Sequence, residues 1–132
     1  MRSPAELVAA KQQPVEAVVD LVPPDADVIV PLANGEPRSI VAALDAAAAD
    51  GRLQGVRIHQ MHAIYDHPHL HGAYGDRLRH VSYFLGAIER AAYAAGGCQL
   101  VPAHFSGESS RSTGACPAWI VRCGIFRPLA RR

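Results

Sequence analysis

The stretch from Asp76 to Ser106, D-R-L-R-H-V-S-Y-F-L-G-A-I-E-R-A-A-Y-A-A-G-G-C-Q-L-V-P-A-H-F-S, constrains the fold more than any other part of the chain. It reads as one strand, helix, strand unit. Leu78 to Leu85 is the first strand, and Gly86 leads into a helix whose Ile88, Ala91, Ala92 and Ala95 share a face. Gly96-Gly97 stops that helix, and Gln99-Leu-Val-Pro-Ala is the second strand. Two strands joined through a helix run parallel, so this unit commits the chain to a βαβ fold. Arg79, His80, Ser82, Arg90, His104 and Ser106 fall near the ends of these elements.

The rest of the chain repeats the alternation. Ser3 with Glu6 forms a capping box and Pro4 suits a first helical position, which predicts a short helix ending near Gln12. Pro14 opens a second helix with Val15, Val18, Val19 and Val22 on one stripe, and Pro23-Pro24 ends it. Asp27-Val-Ile-Val-Pro-Leu is a buried strand, and Asn34-Gly35 supplies a turn at positive φ. Pro37 starts a third helix with Ile40, Val41 and Leu44 inward, running Ala-rich to Asp50, and Gly51 stops it. Val56-Arg-Ile-His-Gln-Met alternates as a strand does, and a long loop covers Ala63 to Asp76. The expected fold is α/β, an open, mostly parallel sheet flanked by helices with right-handed crossovers.

A chain of 132 residues suits one domain with a modest core. The net charge of +1 with mixed signs excludes the electrostatic footprint of a nucleic-acid binder, and no apolar run reaches a membrane span. No secretory leader is read in M-R-S-P-A-E, so the expected location is cytoplasmic. The charge is uneven. Residues 1–108 carry eight basic and twelve acidic side chains, whereas residues 109–132 carry five arginines and no acid. This divides the sequence into a domain at 1–108 and a divergent basic tail at 109–132. Cys98, Cys116 and Cys123 make an odd set without C-x-x-C spacing, which argues against both a disulfide framework and a zinc ribbon.

Four places carry candidate chemistry. The turn around Asn34, Gly35 and Glu36 hands a strand to a helix N-terminus, which suits a carboxylate, a phosphate or an oxyanion. It lacks the Gly-rich run and Lys-Ser/Thr pair of a P-loop. His59, His62, His67, His69, His71 and His80, with Asp66, form a second group. Spacing by two would point His67, His69 and His71 the same way from an extended loop, toward zinc or copper. The spacing matches no standard zinc motif, and Pro68 and Gly72 read as surface loop, so polar filler is preferred and no metal is expected. The third place is Arg79 and Ser82 on their strand, where an ion pair of Arg79 with Asp76 competes with substrate contact. The fourth is His104 and Ser106, just beyond a strand end. A Ser-His hydrolase is disfavoured there because G-x-S-x-G is absent.

Several motifs together resemble the acetyl-CoA hydrolase and CoA-transferase family, 4-hydroxybutyrate CoA-transferases among it, over about residues 12–108. They are P-V-E-A-V-V-D-L-V, the D-x-V-x-V strand, G-E-P at Gly35 to Pro37, Arg79-His80-x-Ser82-x-Phe84 with Gly86, Arg90 to Gly96, and V-P-x-H-F-S at Val101 to Ser106. The resemblance implies the N-terminal half of a class I CoA-transferase-like fold, coenzyme A as its acyl-CoA substrate, and short-chain acyl-CoA and small carboxylates as partners in acetate metabolism. In that family a glutamate in the C-terminal half attacks the acyl-CoA. No residue here matches it, so no catalytic residue is assigned, and a chain truncated or frame-shifted after about residue 110 is expected to be inactive alone. Asn34, Gly35, Glu36, His62, Arg79, Ser82, His104 and Ser106 are the implied pocket residues. The alternatives are a non-catalytic partner subunit or remnant, completed by a separate C-terminal half, and a metal-binding protein built on the histidine loop.

Overall fold

The computed structural model of the chain describes residues 3–102. Its four strands, β1 (Asp27–Ile29), β2 (Val56–Gln60), β3 (Leu78–Ser82) and β4 (Cys98–Leu100), form one sheet in chain order, and every pair is parallel. The helices are α1 (Pro4–Ala9), α2 (Arg38–Ala49) and α3 (Ala87–Ala94). Short 3-10 turns fill the connections at Val15–Leu21, Ala33–Gly35, Pro68–His71 and Gly75–Arg77.

The small parallel sheet is the one the alternation predicts, but its layering differs. Strands laid side by side in chain order, joined by crossovers of one hand, receive every connection on the same side. Register places Val28 beside Ile58, Ile58 beside His80, and His80 beside Cys98, so these residues share that side. There Val28, Val30, Val56, Ile58 and Leu78 meet Val41, Leu44, Ala47 and Ala48 of α2 and Val19 of the 3-10 turn before β1. Each large aliphatic side chain buried in this way contributes about 1.5–3 kcal/mol. A smaller cluster of Ala63, Leu70, Ala92 and Cys98, with Ile88 against it, continues the core beneath α3. The core is therefore one-sided rather than flanked on both faces. On the reverse face Asp27 accepts both guanidinium hydrogen bonds of Arg57, at 2.5 and 2.9 Å, and contacts His59, whose other ring nitrogen meets the Tyr83 hydroxyl at 2.8 Å.

Local signals acted as chemistry requires in some places and not in others. The capping box at Ser3 forms in full, yet α1 ends at Ala9 and buries nothing. The valine stripe after Pro14 packs through Val18, Val19 and Val22, but as a 3-10 helix. β1 stops at Ile29 because Pro31 has no N–H for the ladder, although Val30 still donates to His59. Positive φ after β1 falls on Ala33, at 49°, and not on Asn34 or Gly35. Gly35 is instead a packing glycine, since a Cβ there would lie 3.2 Å from that of Pro31. In α3 the buried side is Glu89 and Ala92, while Ala91 and Ala95 are exposed. The expected edge strand at 118–121 and the basic tail lie outside the described residues.

Candidate metal centre

Helix α2 carries a carboxylate on its inward face. Asp45 follows Leu44 directly and lies four residues after Val41, and all three are buried. An ionised side chain in that position requires partners, and the loop after β2 supplies them. His67 precedes the 3-10 turn Pro68–His71, in which His69 and Leu70 are both buried. Leu70 seats the turn in the core beneath α3. Gly97 lets it approach, because a Cβ on Gly97 would fall 2.6 Å from the His71 backbone carbon. The histidine segment is thus docked into the protein and is not a surface loop.

Docking stacks the His67 and His69 rings, centroids 5.5 Å apart and inclined by 25°. His69 Nδ1 lies 3.0 Å from Asp45 Oδ1, and His67 Nδ1 lies 3.4 Å from Asp45 Oδ2. The second contact is an ion-pair separation rather than an aligned hydrogen bond, and Oδ2 has no hydrogen-bond partner among the described residues. His67 Nε2 points the other way, 2.5 Å from Glu36 Oε1. Gln60 Nε2 in turn donates to Glu36 Oε2 at 2.8 Å and to the Pro31 carbonyl at 3.1 Å.

The electrostatics follow from these contacts. Pairing with Asp45 raises the His67 pKa above the ordinary imidazole value; burial opposes the rise and Glu36 adds to it. Burial alone would push the Asp45 carboxyl up, but the close imidazoles of His67 and His69, by contact and by charge, outweigh it and hold the group below its usual range. His80 extends the row, its ring centroid 5.4 Å from that of His69. It is fully buried, and neither ring nitrogen has a partner among the described residues. Burial, and then the neighbouring histidines, bring its pKa down to about 3. Burial, followed by Glu89, raises the thiol of Cys98, which sits in register beside His80.

Asp45, His67 and His69 each offer a ligand atom, and these atoms lie within 4.8 Å of one another. Two imidazoles and a carboxylate suit zinc and its first-row neighbours. An imidazole that gives its outer N–H to a fixed carboxylate, as His67 faces Glu36, is the usual orienting arrangement behind a metal ligand. This reverses the expectation of no metal, which rested on a spacing that matches no zinc motif and on reading the segment as surface loop. The buried histidine–aspartate cluster, with a buried thiol beside it, gives the chain catalytic potential.

The other sequence-derived candidates are placed variously. Glu36 is buried in the cluster, while Asn34 and Gly35 are exposed beside it. His62 lies elsewhere, its Nδ1 3.7 Å from fully buried Glu89. Arg79 Nη1 is 3.5 Å from exposed Asp76. The Ser82 hydroxyl donates to the Phe84 carbonyl and accepts from the Phe84 N–H, which closes a turn. His71 faces away from His67 and His69 toward Asp66. His104 and Ser106 lie outside the described residues. Asp45, Gln60 and Glu89 were not singled out from sequence. Asp45 had a signal, a carboxylate on the Val41/Leu44 stripe.

No family model matches the chain, and no curated protein matches it. Several solved structures do. A methionine-to-glycine mutant of RipA superposes with a TM-score of 0.72 at 21% identity over 80% of this chain. RipA from Yersinia pestis gives 0.68 at 22% identity over 78%. A glutamate-to-alanine mutant of RipA gives 0.70 at 21% identity over 78%. This chain spans 26% of each of those chains.

These findings correct the family reading. The resemblance to acetyl-CoA hydrolases and CoA-transferases draws no family or curated match, and the chains of similar fold bear the name RipA. At this identity the likeness carries the fold alone. The class I CoA-transferase-like fold, the coenzyme A substrate, the acyl-CoA and carboxylate partners and the place in acetate metabolism are withdrawn with it. Among the described residues no helix is long and apolar enough to cross a membrane. The comparisons support a small parallel α/β fold like that of the RipA chains, and the geometry adds a His2Asp cluster in which Asp45 and His69 are buried and His67 is half-buried.

Proposed function

We propose that the chain binds one divalent transition-metal ion, with zinc the best fit, through Asp45, His67 and His69. The convergence of three ligand atoms within 4.8 Å carries this reading. Glu36 and Gln60 support it by fixing the outer nitrogen of His67. Three protein donors leave a position to be filled, by water in a centre that activates it or by a further side chain in a closed one.

Metal analysis of the purified full chain after zinc loading and dialysis tests the proposal. One ion per chain is expected, lost in Asp45→Ala and in the His67→Ala, His69→Ala double variant but kept in His71→Ala. Absence of stoichiometric metal in the unaltered chain would overturn it.

A further inference from the structure

We infer that Tyr83 is an activated nucleophile, with His59 as its base and Asp27 orienting that base, in a second site on the reverse face of the sheet. This site shares no residue with the metal centre. Strand periodicity puts Arg57 and His59 on one face of β2, opposite Ile58 and the core. Asp27 lies beside Arg57 in register at the start of β1. Tyr83 follows β3 directly, and its N–H donates to the Gln60 carbonyl at 3.3 Å, which continues the pairing one residue past the strand. The turn that the Ser82 hydroxyl closes onto Phe84 fixes the chain on either side of it. Open α/β sheets place their ligands at this carboxyl edge.

The hydrogen-bond chain sets the direction in which a proton moves. Arg57 donates to both oxygens of Asp27, so that carboxylate acts as an acceptor. His59 Nε2, 2.9 Å from Asp27 Oδ1, therefore carries the proton of the neutral imidazole. Nδ1 is left with its lone pair, and the Tyr83 hydroxyl, 2.8 Å away, donates to it. A nucleophile within hydrogen-bond reach of a base, and the base held by a third group, is the arrangement that activates side-chain oxygens. The Asp27 and His59 side chains are 8% and 17% exposed, so water competes little for these contacts. A phenolic oxygen is a hard nucleophile, and the fitting substrate class is an activated carbonyl compound, an ester or an acyl amide. Attack forms a bond from Tyr83 oxygen to the carbonyl carbon while the phenolic proton passes to His59 Nδ1. His59 then returns that proton to the leaving group as its bond to the carbonyl carbon breaks.

Acetylation of the full chain by N-acetylimidazole, followed residue by residue with mass spectrometry, reads the reactivity of each tyrosine. Tyr93 is the internal control, because it is 47% exposed whereas Tyr83 is half-buried, and access alone would make Tyr93 the faster. Tyr83 is expected to react about tenfold faster than Tyr93 or more, and to lose that advantage in His59→Gln. Asp27→Asn, whose amide can donate to Nε2 and so turn the tautomer, should slow Tyr83 as well and leave Tyr93 unchanged. Tyr83 reacting no faster than Tyr93, or keeping its rate in a folded His59→Gln, would overturn the inference. An unchanged rate in a folded Asp27→Asn would overturn the orienting role of Asp27. Should neither variant fold, the ratio of Tyr83 to Tyr93 in the unaltered chain decides alone.

Discussion

The buried face of the sheet is made of two opposite materials. Toward the start of the strands, Val28, Val56, Ile58 and Leu78 meet Val41, Leu44 and Ala48 in a packing without a polar atom from any of those side chains. From the end of β2 across to the middle of β3, Gln60 and His80 lie with Glu36, Asp45, His67 and His69, a run of ionisable and amide groups that are buried save for half-buried His67. One helix serves both, since Leu44 and Asp45 are adjacent on α2. The aliphatic part needs no specific partner and supplies stability. The polar part is costly unless its groups satisfy one another.

Adjacent substitutions on α2 separate the two roles most sharply. Leu44→Ala should cost about 2–5 kcal/mol of stability through a core cavity, while a chain that still folds keeps its metal. Asp45→Asn should abolish zinc binding and change the urea midpoint far less. Equal effects on both readouts from both variants would erase the distinction.

Acid should strike the polar part first. In the folded chain His80 stays neutral down to a pKa of about 3, while in the unfolded chain it takes a proton at about its ordinary value of 6.5. The unfolded state therefore binds more protons between those values, and stability falls as pH drops through that window, by roughly 2–3 kcal/mol at pH 4.5. His67 has the opposite sign. Its raised pKa contributes stability that is complete below 6.5 and lost as pH rises through the folded value, where zinc no longer competes with its proton. Urea titrations at pH 7 and 4.5 should show a flatter pH dependence in His80→Asn. An unchanged slope would remove His80 from this account.

Glu36→Gln should weaken zinc about 10–100-fold by loosening the outer nitrogen of His67. Gly97→Ala should cost about 1–3 kcal/mol, because its Cβ meets the His71 backbone, and should disturb the histidine loop while leaving the aliphatic packing intact. Amide exchange limited to residues 66–72 would register this. Arg79→Ala should cost under about 1 kcal/mol, as its ion pair with Asp76 is exposed.

Much of the frame was legible because it is local. The Ser3–Glu6 capping box, the alternation of Val56 to Gln60 and the stops at Gly51 and Gly96 each depend on a few neighbouring residues. The site was only half legible. His67 and His69 stood out, but Pro68 and Gly72 made their segment look like surface, and nothing nearby in sequence reports that Leu70 is buried or that Gly97 leaves room for the loop. Glu36 was noticed as part of a turn, and its role beside His67 comes from a contact spanning 31 residues. Asp45 went unnoticed in its helix, where only Ile40, Val41 and Leu44 were read as facing inward. The one-sidedness of the core was implicit in the right-handed crossovers, but it also required the strand order.

The laying of strands in chain order has a further consequence, for how the molecule is made. Each strand after β1 pairs with the one before it, so none of these three must wait for a segment synthesised later in order to find a neighbour. A chain leaving the ribosome N-terminus first can add β2 to β1, then β3, then β4, folding its aliphatic packing while the polar end is still being completed. His67 and His69 emerge soon after Asp45, but Ala92, Gly97 and Cys98, against which their loop docks, come last, so the loop is seated only when the sheet is complete.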